Sequence, residues 1–161
     1  MRIEMQEQTF YYGTISKKCL YALSAVFELA ARNSNKPVKV RQLAGAQGIP
    51  VRFLEVILNE LKRAGILESR RGKEGGYLLS EPAESISVGQ IIRCVQPMGT
   101  TGKSGGKDPA SGEWIRGDYA FERLRQQVDS AISEIYDNVT LAGLVEEEAA
   151  YRNSYTPNYV I

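Results

Sequence analysis

Three glycines within five residues, Gly72-Lys73-Glu74-Gly75-Gly76, stand between two short extended runs, Ile66 to Arg71 and Tyr77 to Ser80. That pattern predicts an antiparallel hairpin around a glycine-rich turn. Three segments of helical period come before it, and three short helices followed by one hairpin have few ways to bury their apolar residues. The first helix covers Ser16 to Arg32, with Leu20, Leu23, Val26, Phe27 and Ala30 on one face, and Asn33-Ser34-Asn35-Lys36-Pro37 breaks it. A second runs from about Val40 to Gln47 with Leu43 and Ala44 turned inward, and Gly48 stands where a left-handed residue would end it. Pro50 suits the first position of the third helix, which has no amide partner to lose. That helix continues to Ala64, setting Phe53, Leu54, Ile57, Leu58 and Leu61 inward and Arg52, Glu55, Asn59 and Arg63 on the opposite face.

Beyond the hairpin, Ser87-Val88-Gly89-Gln90 fits a capping box at the start of a short helix reaching about Val95. Residues 97–113 hold five glycines and two prolines with almost no large apolar residue, a composition that builds no core. From Asp118 to Tyr136, Phe121, Leu124, Val128, Ala131 and Ile135 are spaced three, four, three and four, a heptad seam of nearly three repeats. So narrow a stripe suits a partner helix, and the period equally suits a helix packed on its own domain. Thr140 can cap a last helix, Leu141 to Ala150. Met1–Gly13 and Tyr151–Ile161 contain five of the nine tyrosines without clear period, which fits either fraying or packing across a dimer.

The expected architecture is therefore mainly α with a small β-hairpin wing, a winged helix-turn-helix plus a long dimerisation helix. Its parts are an N-terminal extension (1–13), a winged DNA-binding domain (14–96), a flexible connector (97–117), the dimerisation helix with the final short helix (118–150), and a C-terminal tail (151–161). At 161 residues the chain has the size of one domain. No histidine is present and the cysteines number two, Cys19 and Cys94, so the commonest general base and transition-metal ligand are missing and no disulfide framework is available. No nucleophile with a base, phosphate loop or metal-ligand spacing supports an enzyme. Without an apolar run of membrane length or a cleavable leader pattern, neither a membrane partner nor secretion is expected, and the cytoplasm is the default location.

Net charge is +1, unevenly spread: residues 1–80 carry 13 Lys/Arg against 7 Asp/Glu, and residues 81–161 carry 7 against 12. Within residues 36–75 the count is nine against four, the footprint of phosphate binding. The third helix can enter a major groove only if one face packs on the domain while the other bonds base edges. Arg52, Glu55 and Asn59 meet that need: arginine can donate two parallel bonds to guanine, and a carboxylate accepts from the cytosine amine. Each of these charges taken singly is more readily a solvated helix face. The wing gives the set its meaning.

The residues also carry a family resemblance. Tyr21-Ala22-Leu23, Gln47-Gly48-Ile49 with Phe53-Leu54-Glu55, Lys62-Arg63-Ala64-Gly65-Ile66-Leu67, Arg71-Gly72 with Gly75-Gly76-Tyr77-Leu78-Leu79, Val88-Gly89 with Ile91-Ile92, and Val139-Thr140-Leu141 with Leu144 resemble the Rrf-two type bacterial transcription regulators over about residues 14–148. That group includes the iron–sulfur cluster regulator, the nitric-oxide-sensing repressor and the cysteine-metabolism repressor. The resemblance implies a homodimer held by the long helix, with two heads on a pseudo-palindromic operator of double-stranded DNA, and repression by blocking polymerase. It places Glu55 at a base in the major groove with Arg52 beside it, Arg71 in the minor groove, and Lys39, Arg41 and Gln42 near the backbone. Arg70, Lys73 and Tyr77 on the hairpin complete the candidate DNA-binding set, and the five seam residues form the candidate dimer interface.

Two departures qualify the match. Pro50 replaces the family's usual serine, removing a hydroxyl cap. Cluster-binding members carry three cysteines before the long helix, where this chain has Thr100 to Trp114 and no cysteine. Cys19 and Cys94 read as buried structural thiols. The expectation is a regulator with no cofactor and no iron–sulfur cluster, controlled by a small molecule, a partner protein or a thiol switch. A winged-helix module for protein contacts is the alternative, with its basic face incidental.

Overall fold

The computed structural model describes residues 15–96 and 117–154. The expected N-terminal extension, almost all of the connector, and the tail beyond Ser154 lie outside the described residues.

Local signals set the helix ends. The Ser16 hydroxyl accepts from the Cys19 amide at 3.2 Å and opens α1 (Lys17–Arg32). Helix α2 (Val40–Gln47) ends at Gly48, whose φ of 64° is the left-handed conformation expected of it. Helix α3 spans Val51–Arg63, so Pro50 is its N-cap, one position before the place expected. Strands β1 (Leu67–Arg70) and β2 (Gly76–Leu79) form the antiparallel wing, Leu67 opposite Leu79 and Arg70 opposite Gly76. After a 3-10 turn at Ala83–Ser85, the capping box opens α4 (Val88–Val95): the Ser87 hydroxyl accepts from the Gln90 amide at 3.3 Å, and the Gln90 side chain accepts from the Ser87 amide at 2.8 Å. Helices α5 (Asp118–Asn138) and α6 (Leu141–Ser154) follow, the second four residues longer than expected. Thr140 caps α6, accepting from the Gly143 amide at 3.1 Å.

Helix α1 is the hub, packed on α2, α3, α4 and α6. Its buried face is Cys19, Ala22, Ala25, Val26, Leu29 and Ala30. The expected face is thus corrected: Leu20 is half exposed, and Leu23 and Phe27 are only partly buried. A helix enclosed by four others favours small side chains, because they let the axes approach, whereas the sequence pattern ranks leucine above alanine.

The core then fixes the orientation of α3. Leu54, Ile57, Leu58 and Leu61 are at most 1% exposed, and burying each contributes about 1.5–3 kcal/mol before entropy is counted. Phe53 does not join them. It is 66% exposed, since it lies about 100° round the helix from Leu54 and falls beyond the edge of the buried stripe. Farther along, a bridge between Ser87 and Thr140 ties the start of α4 to the α5–α6 junction. Asp137 pairs with Arg93 at 2.7 Å beside it.

Candidate nucleic-acid interface

With its apolar stripe locked into the core, α3 turns Arg52, Glu55, Val56, Asn59 and Arg63 to solvent. The wing is held against it from two sides. The Val38 and Tyr77 amides and carbonyls exchange hydrogen bonds of 2.8 and 2.9 Å, joining β2 to the turn before α2. The Tyr77 hydroxyl donates to the Asn59 side-chain amide oxygen Oδ1 at 3.3 Å, joining β2 to α3. Tyr77 is therefore a bracket between wing, turn and helix, partly buried rather than free.

All ten sequence-predicted interface residues lie among these elements. Lys39 is the N-cap of α2, and its amide donates to the Gln42 side-chain oxygen at 3.1 Å. That bond fixes the Gln42 amide group at the helix start with its NH2 still able to donate. Arg41 is exposed on the same helix, and Arg71 and Lys73 are exposed at the wing turn. Arg70 is exposed too, with a long 3.4 Å contact to Glu68.

Ion pairing sharpens the charge imbalance of this side. Glu60 is taken up by Lys18 at 2.6 Å and Glu68 by Arg70. Among the described residues, Lys36, Lys39, Arg41, Arg52, Lys62, Arg63, Arg71 and Lys73 enter no ion pair. They line an exposed surface, so their field is spent on solvent or on an anion brought to it. Sequence reasoning had set Arg63 on the solvent face without counting it as a contact, and it missed Val56, which lies one turn after Arg52.

The thiols lie elsewhere. Cys19 is fully buried, and desolvation pushes its pKa up to about 11. The Cys94 pKa is also raised, by desolvation first and by Glu60 second, with Lys18 opposing. Both are overwhelmingly protonated near neutrality, and the thiolate is the reactive form. Iodoacetamide at pH 7.5 is expected to leave Cys19 unmodified in folded protein and to label Cys94 more slowly than a free cysteine, both reacting once urea unfolds the chain. Intact mass reports this, and rapid double alkylation of native protein would contradict it.

A three-helix head whose third helix presents a polar, cationic face, braced by an antiparallel wing, defines a winged helix-turn-helix protein of the DNA-binding transcription regulators. Comparison with known proteins agrees. The model of the Rrf2 family, described as iron-dependent transcriptional regulator, matches residues 15–147, and the chain belongs to that family. The HTH-type transcriptional regulator IscR of Erwinia tasmaniensis is 31% identical over 135 residues, covering 83% of this chain and 79% of that protein. Among solved structures, T. potens IscR superposes with a TM-score of 0.69 at 28% identity, covering 90% of this chain and 93% of that one. CymR, the global cysteine regulator of B. subtilis, gives 0.65 at 27%, covering 83% and 96%. The chain is a transcription regulator and not an enzyme. No helix among the described residues is long and apolar enough to cross a membrane.

The family description raises the question of iron. The sequence offers two cysteines and no histidine, and Cys19 is sealed in the core. No group of three or more potential ligands occurs among the described residues. This donor set does not fit a thiolate-held cluster.

Proposed function

We propose that the chain acts as a homodimeric repressor whose two heads occupy the halves of a pseudo-palindromic operator. In this reading α3 lies in the major groove with Arg52, Glu55 and Asn59 toward base edges, and Tyr77 holds the Asn59 amide in place from the wing. Arg71 enters the minor groove. Arg70, Lys73, Lys39, Arg41 and the Gln42 amide take phosphates, fixing register without reading sequence. The observation that carries the reading is that exposed cations on α2, α3 and the wing enter no ion pair among the described residues while Glu60 and Glu68 are taken up by neighbours. Dimerisation is supported by α5, none of whose residues is buried and whose seam residues Phe121, Leu124, Val128 and Ile135 are about half exposed or more in the single chain, with Ala131 exposed between them. The raised thiol pKa values speak against a thiol switch, and the donor set against a cluster. A small molecule or a partner protein remains as the controlling signal.

The test begins with genomic DNA selected by the purified protein and sequenced, which yields the operator and its symmetry. Arg71→Ala is then expected to weaken binding and relax preference at a narrow minor-groove position, lowering the salt slope by about one. Glu55→Ala should change base preference by about 1–3 kcal/mol at one position per half-site. Unchanged operator selection by both variants would refute these roles.

A further inference from the structure

The reading face of α3 is not wholly polar. Val56 is 56% exposed on the side turned away from the core, and Phe53 is 66% exposed at the edge between that side and the buried stripe. On a helix, residues three and four apart are neighbours, so Val56 has Arg52 behind it, Asn59 ahead of it and Phe53 beside it. Counting 100° per residue from the buried stripe, Val56 falls about 30° from the middle of the solvent face, with Arg52 and Arg63 on one side of it and Phe53 on the other. A β-branched side chain in a helix is nearly confined to one rotamer, so its methyl groups stand at a fixed place.

We propose that Val56, flanked by Phe53, determines specificity by packing on the 5-methyl group of a thymine in the major groove. The inference rests on the DNA-reading proposal and deepens it. An aliphatic group cannot donate or accept a hydrogen bond, and the one apolar feature that base pairs display in the major groove is the thymine methyl. Opposite Val56, a cytosine amine or a guanine carbonyl would be stripped of water with nothing in return, which penalises those bases. The cations around the pair, Arg52 and Arg63, supply the attraction that brings the duplex close enough for such a contact. The helix therefore discriminates in two ways: arginine, glutamate and asparagine read hydrogen-bonding edges, and valine reads shape where they cannot.

The experiment uses the full-length protein and its selected operator. Each thymine of the half-site is replaced in turn by deoxyuridine, which deletes the methyl and leaves base pairing and groove acceptors intact. At one position per half-site the wild type is expected to lose about fourfold in affinity, the equivalent of one buried methyl. Val56→Ala should show that loss on thymine DNA and little further loss on the deoxyuridine operator. Val56→Gln should move the preference there from thymine toward adenine, because glutamine pairs with the adenine edge. Phe53→Ala should abolish methyl sensitivity at the adjoining thymine. Both residues are solvent-exposed, so the variants are expected to fold, which circular dichroism checks. If the wild type still distinguishes its operator from scrambled DNA but no half-site thymine is sensitive to methyl removal, the assignment is overturned and the DNA-reading proposal stands. Equal losses on deoxyuridine replacement in wild type and Val56→Ala overturn it as well. Failure to select any sequence brings down both.

Discussion

Val128→Asp is expected to split the proposed homodimer into monomers in solution and to remove most of its operator affinity. Val128 sits at the middle of the α5 seam, 48% exposed in the single chain, with Leu124 and Ala131 on either side along the same stripe. In a two-fold interface the substitution is made twice, and the two carboxylates are brought together near the axis. Burying unpaired charge in an apolar seam costs several kcal/mol, so dimer dissociation should strengthen by at least about 100-fold. Each head alone makes half the contacts, and the salt dependence of DNA binding should fall to roughly half its slope. No α5 residue belongs to the buried core, so the protomer's fold is expected to survive, with helical content unchanged. Ser130→Asp, on the opposite side of α5, is the control and should leave mass and affinity alone. Sedimentation equilibrium gives the mass. A Val128→Asp protein that keeps both the wild-type mass and operator affinity removes the seam from the account.

Features decided within four residues were legible in the sequence. The Ser87–Gln90 capping box, the left-handed Gly48 and the Thr140 cap involve groups adjacent in the chain, and each stands where local chemistry puts it. The exposed placement of Arg52, Glu55 and Asn59 was legible for a related reason, since one strongly apolar stripe on α3 leaves their side no other choice. Other features turned on partners far away in sequence. The buried face of α1 depends on four helices closing round it, so Cys19, Ala22 and Ala25 outrank the larger Leu20. The bracket made by Tyr77 joins residues 18 apart through its hydroxyl, and no periodicity encodes it. Val56 escaped notice because a search for base-reading groups looks for polar side chains, and an exposed valine shows itself only once the helix has been set on its core. Helix α6 runs four residues past the expected end because Tyr151, Arg152, Asn153 and Ser154 are all exposed and carry no apolar stripe to read, whereas an Arg152–Glu148 pair at 2.7 Å spans its last turns.

The wing offers the second large effect. Gly76→Ala is expected to lower unfolding free energy by about 2–4 kcal/mol, more than its neighbour Gly72→Ala, which should cost about 1–2 kcal/mol. Both glycines have positive φ, 155° and 105°, so both substitutions strain the backbone. Only at Gly76 does the new methyl group also meet other atoms: the Val38 carbonyl and the Lys39 amide nitrogen, which are main-chain atoms and cannot rotate aside. At Gly72 the added carbon points into open space. Relief at Gly76 requires moving β2 away from the turn, which breaks the paired Val38–Tyr77 hydrogen bonds of 2.8 and 2.9 Å. It also shifts Tyr77 from Asn59 and disturbs Lys39 at the head of α2, so the lost stability and the lost DNA affinity share one origin. Urea titrations at a single protein concentration compare the two variants, since the proposed dimerisation would make apparent stability concentration-dependent. Equal midpoints for Gly72→Ala and Gly76→Ala would mean that the wing is not anchored at Val38, and the bracket that sets Asn59 would have to be sought elsewhere.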